Sequence, residues 1–202
     1  MFSVRFIFWL LSAYLSGALP WAVWLGKLFF HVDPRAQADG NPGTANAFRA
    51  VGWRLGAGVL ILDFLKAFLP VALAAWKGGF PPIQLFWIAL APTIGHAFSV
   101  FLLFRGGRGI VAMFGVWTGL TLYRIPLVMG VIGLLAFVLF KKDDYRTLAI
   151  PLGLIAFLFV TGAASWMIWL AAAQLFVLML KIGAFYLHPP AQSRQNSQRE
   201  VA

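Results

Sequence analysis

"IVAMFGVWTGLTLYRIPLVMGVIGLLAFVLF", from Ile110 to Phe140, is the stretch on which the topology turns. It is apolar nearly throughout, yet too long for one ordinary crossing, since about 20 residues span the hydrocarbon core. It is interrupted at "YRIP", Tyr123 to Pro126. A proline just after a charged residue predicts a turn between two short helices, because proline lacks an N–H donor and its ring clashes with the preceding turn. Further apolar blocks lie at 6–30, 55–76, 83–104, 147–160 and 163–187. With 110–140 divided, about seven spans are predicted. Several are short: at 1.5 Å per residue, 110–123 reaches only about 21 Å, so that helix thins the bilayer or packs inside the bundle.

With 61% hydrophobic residues and a mean hydropathy of +0.85, the chain exceeds the apolar share of soluble domains, about 45–50%. The expected fold is an all-α integral membrane protein, one domain over 1–187 followed by a polar tail, 188–202, of disordered composition. The apolar start runs on too far, and lacks the small-residue site, of a cleaved leader. Basic residues sort by loop. Arg35, Arg49 and Arg54 follow the first span, Arg105 and Arg108 the third, Lys141, Lys142 and Arg146 the fifth, and Arg194 and Arg199 the seventh. Arg5, Lys77 and Arg124 fall on the other side. Basic loops mark the cytoplasm, which puts the N-terminus outside and the C-terminus inside.

The chain has no cysteine, which excludes disulfides, thiolate catalysis and Cys-based zinc sites. Its formal charge of +10 suits cytoplasmic loops against anionic lipid rather than nucleic acid. His31 and His188 are too isolated for a metal site, and no metal is expected.

Four polar constellations interrupt the apolar blocks. "QADGNPGTANAFRA", Gln37 to Ala50, offers Asp39, Gly40, Asn41, Gly43, Asn46 and Arg49. Glycines permit close approach, consecutive N–H groups can cradle an anion, and Arg49 can grip phosphate with two bonds. The same residues also suit an ordinary turn and helix cap. "RGGRG", Arg105-Gly106-Gly107-Arg108-Gly109, precedes an apolar helix and suits a phosphate at a helix start. It serves equally as a basic anchor with a flexible turn. Asp63 and Lys66 lie one turn apart at membrane depth, where charges are costly. They either neutralise each other or leave Lys66 to orient an anionic substrate. His96 in "GHAFS" is a candidate general base or phosphate donor, or a polar residue satisfied between helices. Gly115 and Gly119 have the spacing of helix packing in lipid.

In this order and spacing, "SGALPWAVWLGKLF", "DGNPGTANAFRAVGWRLGAGVLILDFLKAFLPV" and "GHAFSVFLLFRGGRG" resemble one family, the bacterial acyl-phosphate:glycerol-3-phosphate acyltransferases of the PlsY type. The likeness runs from Ser16 to about Leu120. It implies a seven-span fold in the bacterial inner membrane with its active site facing the cytoplasm. It implies acyl transfer from acyl phosphate to the 1-hydroxyl of glycerol 3-phosphate, giving lysophosphatidic acid for phospholipid synthesis. No cofactor and no direct use of coenzyme A or acyl carrier protein are implied. The partners would be the two substrates and membrane lipid. By the same likeness Gly40, Asn41, Gly43, Asn46 and Arg49 form the first conserved loop, Lys66 lines the second span, and Gly106, Gly107 and Gly109 form the phosphate loop.

Asp39, Asn41, Arg49 and His96 are the expected catalytic set. Gly40, Gly43, Asn46, Lys66, Arg105, Gly106, Gly107, Arg108 and Gly109 are the expected phosphate-binding set. The chain departs from the pattern at Asp39, where the family has serine, at Ala18 for serine, at Ala97 for asparagine, and at Arg105 and Arg108 for lysines. A C-terminal His-x-x-Asn-Ile-x-Arg-Leu stretch is not found, and "KKDDYRTLAI" matches an Arg-Tyr-x-Ser-Leu stretch only loosely. The departures leave open a relative that acts on another polar acceptor, or a lipid-binding or assembly subunit.

Overall fold

The computed structural model describes residues 3–187; the tail expected at 188–202 lies outside them. Among the described residues there are nine α-helices and no strand. They are α1 Val4–Ala18, α2 Trp21–Phe30, α3 Thr44–Val51, α4 Trp53–Lys77, α5 Pro82–Ala97, α6 Ile110–Thr121, α7 Arg124–Leu139, α8 Asp143–Val160 and α9 Ser165–Leu187.

The block 6–30 is not one straight helix. It bends by 43° between α1 and α2. Pro20 lacks an N–H and pushes Leu19 out of the helical region, to φ −59 and ψ 118. The block 83–104 also stops early. Helix α5 ends at Ala97, and a short 3₁₀ turn at Val100–Leu102 follows. Ser99 ties that turn back to the α1 end, its Oγ donating to the Ala18 carbonyl at 2.5 Å. Within 110–140 the break falls at Leu122 and Tyr123, slightly before the "RIP" residues. Pro126 sits in the first turn of α7, where a missing N–H costs nothing. Helix α8 starts earlier than its apolar block, at Asp143, with Asp143 and Asp144 in the first turn where the helix dipole favours negative charge.

Burying apolar area gives little between helices in lipid, since the tails are as apolar as leucine; close packing and interhelical hydrogen bonds must hold the bundle. Small residues provide the first. Helix α6 lies on α4 through Gly115 and Gly119, where an added Cβ would sit 3.0 Å from Phe68 N and 2.9 Å from Ala72 N. Helix α1 packs on α5 through Gly17 and Gly95, each backed directly by the other helix's backbone. Gln174 of α9 provides the second. Its Oε1 accepts from Trp117 Nε1 at 2.8 Å and its Nε2 donates to Thr93 Oγ1 at 3.1 Å, linking α6, α9 and α5. Around it Met113, Trp117, Met129, Leu154 and Leu170 are fully buried.

Outward faces carry Val4, Leu134, Val138, Phe159 and Val160 exposed, as a lipid-facing surface would. Among the described residues α4, α9 and the stretch Pro82–Leu102 are each long and apolar enough to cross a membrane. The bent α1–α2 pair makes a fourth, while α6 and α7 are shorter apolar helices.

Candidate active site

The loop between α2 and α3 is organised around Asn46, which is buried in the first turn of α3. Its Nδ2 lies within hydrogen-bond distance of Asp39 Oδ1 (2.8 Å), Gln37 O (3.0 Å) and Asn41 O (3.0 Å). Its Oδ1 accepts from Arg49 Nη1 at 2.8 Å. Both ends of the amide are engaged, so Asn46 shapes the loop and aims Arg49. Gly40 takes φ +69, a turn conformation glycine adopts without strain. Asp39 Oδ1 also accepts from the Asn41 N–H at 3.2 Å.

The loop after α5 folds back on the end of that helix. The N–H groups of Gly106 and Gly107 donate to the carbonyls of Ala97 and His96, at 3.1 and 3.0 Å. Those two amides therefore close the α5 end, and it is the loop's cations that face the cavities. Gly107 is where the two loops meet: a Cβ there would lie 2.5 Å from His96 Nε2 and 2.9 Å from Asn41 Oδ1. Gly109, at φ +82, opens α6.

Arg108 joins the two loops to the first turn of α8. Its Nη2 lies 3.1 Å from Asp39 Oδ2 and 2.7 Å from Asp144 Oδ1, with its side chain only 16% exposed. Asp144 in turn accepts from the Tyr186 hydroxyl of α9 at 2.6 Å. The neighbouring Asp143 pairs with Arg49 at 3.3 Å and Arg146 at 3.0 Å. Asp143, Asp144, Arg146 and Tyr186 were absent from the sequence-based set. The weak signal for the first three was "KKDDYRTLAI", with its charges at the start of an apolar block.

Two cavities share this framework. The larger, about 880 Å³, is lined by Arg35, Arg105, Arg108 and Lys181, by Asp33 and Asp39, and by Phe98, Phe104 and Phe185. The smaller, about 360 Å³, is lined by Arg49, Arg108 and Arg146, by Asp39, Asp63 and Asp143, and by Thr44, Thr147 and His96. Asp39, Asn41 and Arg108 line both. Gly40, Arg105, Gly106 and Gly107 thus belong to the larger cavity, and Gly43, Arg49, His96 and Gly109 to the smaller.

Lys66 stands apart from both. Its Nζ is 2.7 Å from Asp63 Oδ1 and donates to the Leu19 carbonyl at 2.7 Å. Both charged side chains are almost fully buried, so the pair neutralises itself while strapping α4 to the α1–α2 bend. Of the two sequence readings, the Asp63 contact fits self-neutralisation. His96 is buried, and its Nδ1 has no hydrogen-bond partner among the described residues.

At the rim of the larger cavity, hydrogen bonds from Arg35 hold the Asp33 carboxyl well below its ordinary value, at about 2, against a smaller burial penalty. Lys27 adds a contact at 3.3 Å. Asp33 reciprocally raises the Arg35 pKa through the same hydrogen bonds. Among the described residues no group of three His, Asp or Glu side chains is arranged to hold a metal ion.

Comparison with known proteins bears on this geometry. A family model described as glycerol-3-phosphate acyltransferase matches residues 7–199. A glycerol-3-phosphate acyltransferase of Trichlorobacter lovleyi is 45% identical over 114 residues, which is 56% of this chain and 58% of that protein. The chain is thus matched over less than two thirds of that relative's length. A crystal structure of PlsY, an integral membrane glycerol 3-phosphate acyltransferase in its glycerol 3-phosphate form, superposes with a TM-score of 0.80 at 27% identity. That superposition covers 97% of this chain and 92% of the other. The lysophosphatidic acid form of PlsY gives a TM-score of 0.78 at 26% identity, covering 90% and 92%.

Proposed function

This chain belongs to the glycerol-3-phosphate acyltransferase family, and on that premise we propose that it transfers an acyl chain from acyl phosphate to glycerol 3-phosphate. The products are lysophosphatidic acid and inorganic phosphate. The observation that carries this reading is the pair of adjoining cavities that share Arg108: among the described residues, a small one lined by three arginines and a larger one lined by both cations and aromatic rings. Both substrates are phosphates, and only the donor carries a long apolar chain. Glycerol 3-phosphate fits the smaller cavity, with Arg49 and Arg146 beside its phosphate, and acyl phosphate fits the larger.

The glycerol 1-hydroxyl oxygen attacks the acyl carbonyl carbon, and the bond from that carbon to the phosphate oxygen breaks. The electron pair leaves with the phosphate. Arg108 stands between the cavities, where it can meet the charge growing on that phosphate; preorganised charge is where most of the catalysis in such a site originates. The hydroxyl proton passes to a base at the boundary. His96, which lines the smaller cavity, is the side chain offered for that step. The donor phosphate is the alternative acceptor. Asp39 already receives Asn41, Asn46 and Arg108, which fits a part in orienting Arg108.

The same reading includes seven crossings, with the N-terminus outside, the C-terminus and active site on the cytoplasmic side, and the protein in a bacterial inner membrane. Charge partition supports it. Arg5 donates to the Gly78 carbonyl, which puts Arg5 and Lys77 at one end of the bundle. Arg49, Arg108 and Arg146 converge at the other, the end that the positive-inside rule assigns to the cytoplasm.

Purified protein in detergent, given palmitoyl phosphate and labelled glycerol 3-phosphate, should form labelled lysophosphatidic acid without coenzyme A. Well-folded protein that yields none above blank overturns the reading. Asp39, standing where the family has serine, motivates the second reading, a changed acceptor. That reading gains if wild type is inactive on glycerol 3-phosphate and Asp39→Ser restores turnover.

A further inference from the structure

Lys181 is a cation without an evident task. It lies in α9, and among the described residues it makes no ion pair. The two carboxylates that line its cavity are engaged elsewhere, Asp33 with Arg35 and Lys27, and Asp39 with Arg108. Its ammonium sits 5.3 Å from the centre of the Phe98 ring. That contact turns it toward the larger cavity, whose lining it joins together with Ala184 and Phe185. Positions i, i+3 and i+4 share one helix face, so α9 presents a charge followed by an apolar stripe. Arg105 and Phe104 add a further cation and a further ring to the same lining.

We propose that Lys181 is a phosphate-binding residue. Its ammonium, together with Arg105, holds the head group of a single-chain amphiphilic phosphate whose tail lies along Phe98, Phe104 and Phe185. This deepens, and rests on, the reading of the chain as an acyl-phosphate-dependent acyltransferase. A volume of about 880 Å³ accommodates such a head group with the first part of its chain. A charge at membrane depth is costly, and a lysine near a helix end with no anionic ligand would simply extend to the lipid head groups. The Phe98 contact holds it in the cavity instead. Two ligands share the required chemistry, the acyl phosphate donor and the lysophosphatidic acid product.

The test uses hexadecyl phosphate, which has no acyl bond to transfer, bound to the detergent-solubilised full chain. Lys181→Met should weaken its binding about tenfold, the usual worth of one charge-assisted bond, and Lys181→Arg should retain most of it. In turnover, the KM for palmitoyl phosphate should rise in Lys181→Met while the KM for glycerol 3-phosphate stays within twofold. If the site serves the donor, the donor KM carries the effect. If it serves the product, inhibition by added lysophosphatidic acid weakens instead. Either supports the proposal. Hexadecyl phosphate binding and both KM values unchanged in folded Lys181→Met overturn it, and leave the acyltransferase reading standing. Lys181-dependent binding by a wild type that turns over no glycerol 3-phosphate sinks that reading alone. Should Lys181→Met not fold, Lys181→Gln carries the same comparison.

Discussion

The two cavities handle charge in opposite ways. In the smaller, three arginines face three carboxylates, and each arginine touches at least one of them: Arg49 and Arg146 touch Asp143, and Arg108 touches Asp39. In the larger, four cations face two carboxylates, and Arg105 and Lys181 make no ion pair among the described residues. A phosphate entering the smaller cavity must compete with carboxylates for its arginines; one entering the larger meets uncompensated positive charge. The difference teaches that a count of basic residues does not rank anion sites. What matters is how many of those charges are already neutralised.

Among the described residues Arg108 is the one cation common to both cavities, so its removal is the most severe way to break the comparison. Arg108→Ala should lower kcat by about 10²- to 10³-fold, the range for losing a charge aimed at the developing anion. It would also strip Asp39 and Asp144 of their shared partner. A turnover assay on folded protein checks this, and a loss below tenfold would remove Arg108 from the centre of the site. Arg49 belongs to the smaller cavity alone. Arg49→Ala should raise the KM for glycerol 3-phosphate about ten- to a hundredfold, with the KM for palmitoyl phosphate little changed. A matching rise in both would erase the division of labour between the cavities.

Much of this was legible in sequence, and the reason is local. The first loop and the Arg-Gly-Gly-Arg loop are contiguous motifs whose residues fold close to one another, so Asp39, Asn41, Arg49, His96, Arg105 and Arg108 all line one cavity or the other. The charge-poor blocks likewise predicted the long helices, apart from the bend at Pro20, the early end of α5 and the early start of α8, while α3 lies outside them. The partners of those arginines were not legible. Asp143 and Asp144 lie far along the chain from Arg49 and Arg108, and the packing of α8 against α7 and α9 brings them close. Lys181 reads in sequence as one charge in an apolar block; its place in the larger cavity follows from the contact of α9 with α5. Lys66 shows the converse: its spacing from Asp63 allowed two readings, and the ion pair with Asp63 and the bond to the Leu19 carbonyl, each at 2.7 Å, fit the structural one.

Competition inside the smaller cavity can be relaxed without removing a cation. Asp143→Asn takes away the carboxylate that Arg49 and Arg146 share, so both arginines can meet phosphate without that competitor. Partly exposed pairs of this kind are worth about 0.2–1 kcal/mol, so the KM for glycerol 3-phosphate should fall by at most about fivefold. A rise in that KM would mean that Asp143 orients Arg49 productively rather than competing for it.

The mildest test concerns the rim of the larger cavity, where Asp33 is the carboxylate that holds Arg35. Asp33→Asn should release Arg35 and tighten hexadecyl phosphate binding by about twofold, because the pair is substantially exposed and screened by solvent. The pH dependence fixes the sign. The folded-state pKa of Asp33 is depressed, from 3.8 to about 2. The stabilisation it contributes is therefore fully present above 3.8 and is lost only as pH falls through about 2. Between about pH 8 and pH 4.5 the wild-type carboxylate stays charged, so the ratio of Asp33→Asn to wild-type affinity should remain flat even as the ligand phosphate itself titrates. A ratio that closes on one within that window would show Asp33 taking up its proton at an ordinary pH. Arg35 would then count among the uncompensated charges of the larger cavity, and the contrast with the smaller one would widen at the acid end.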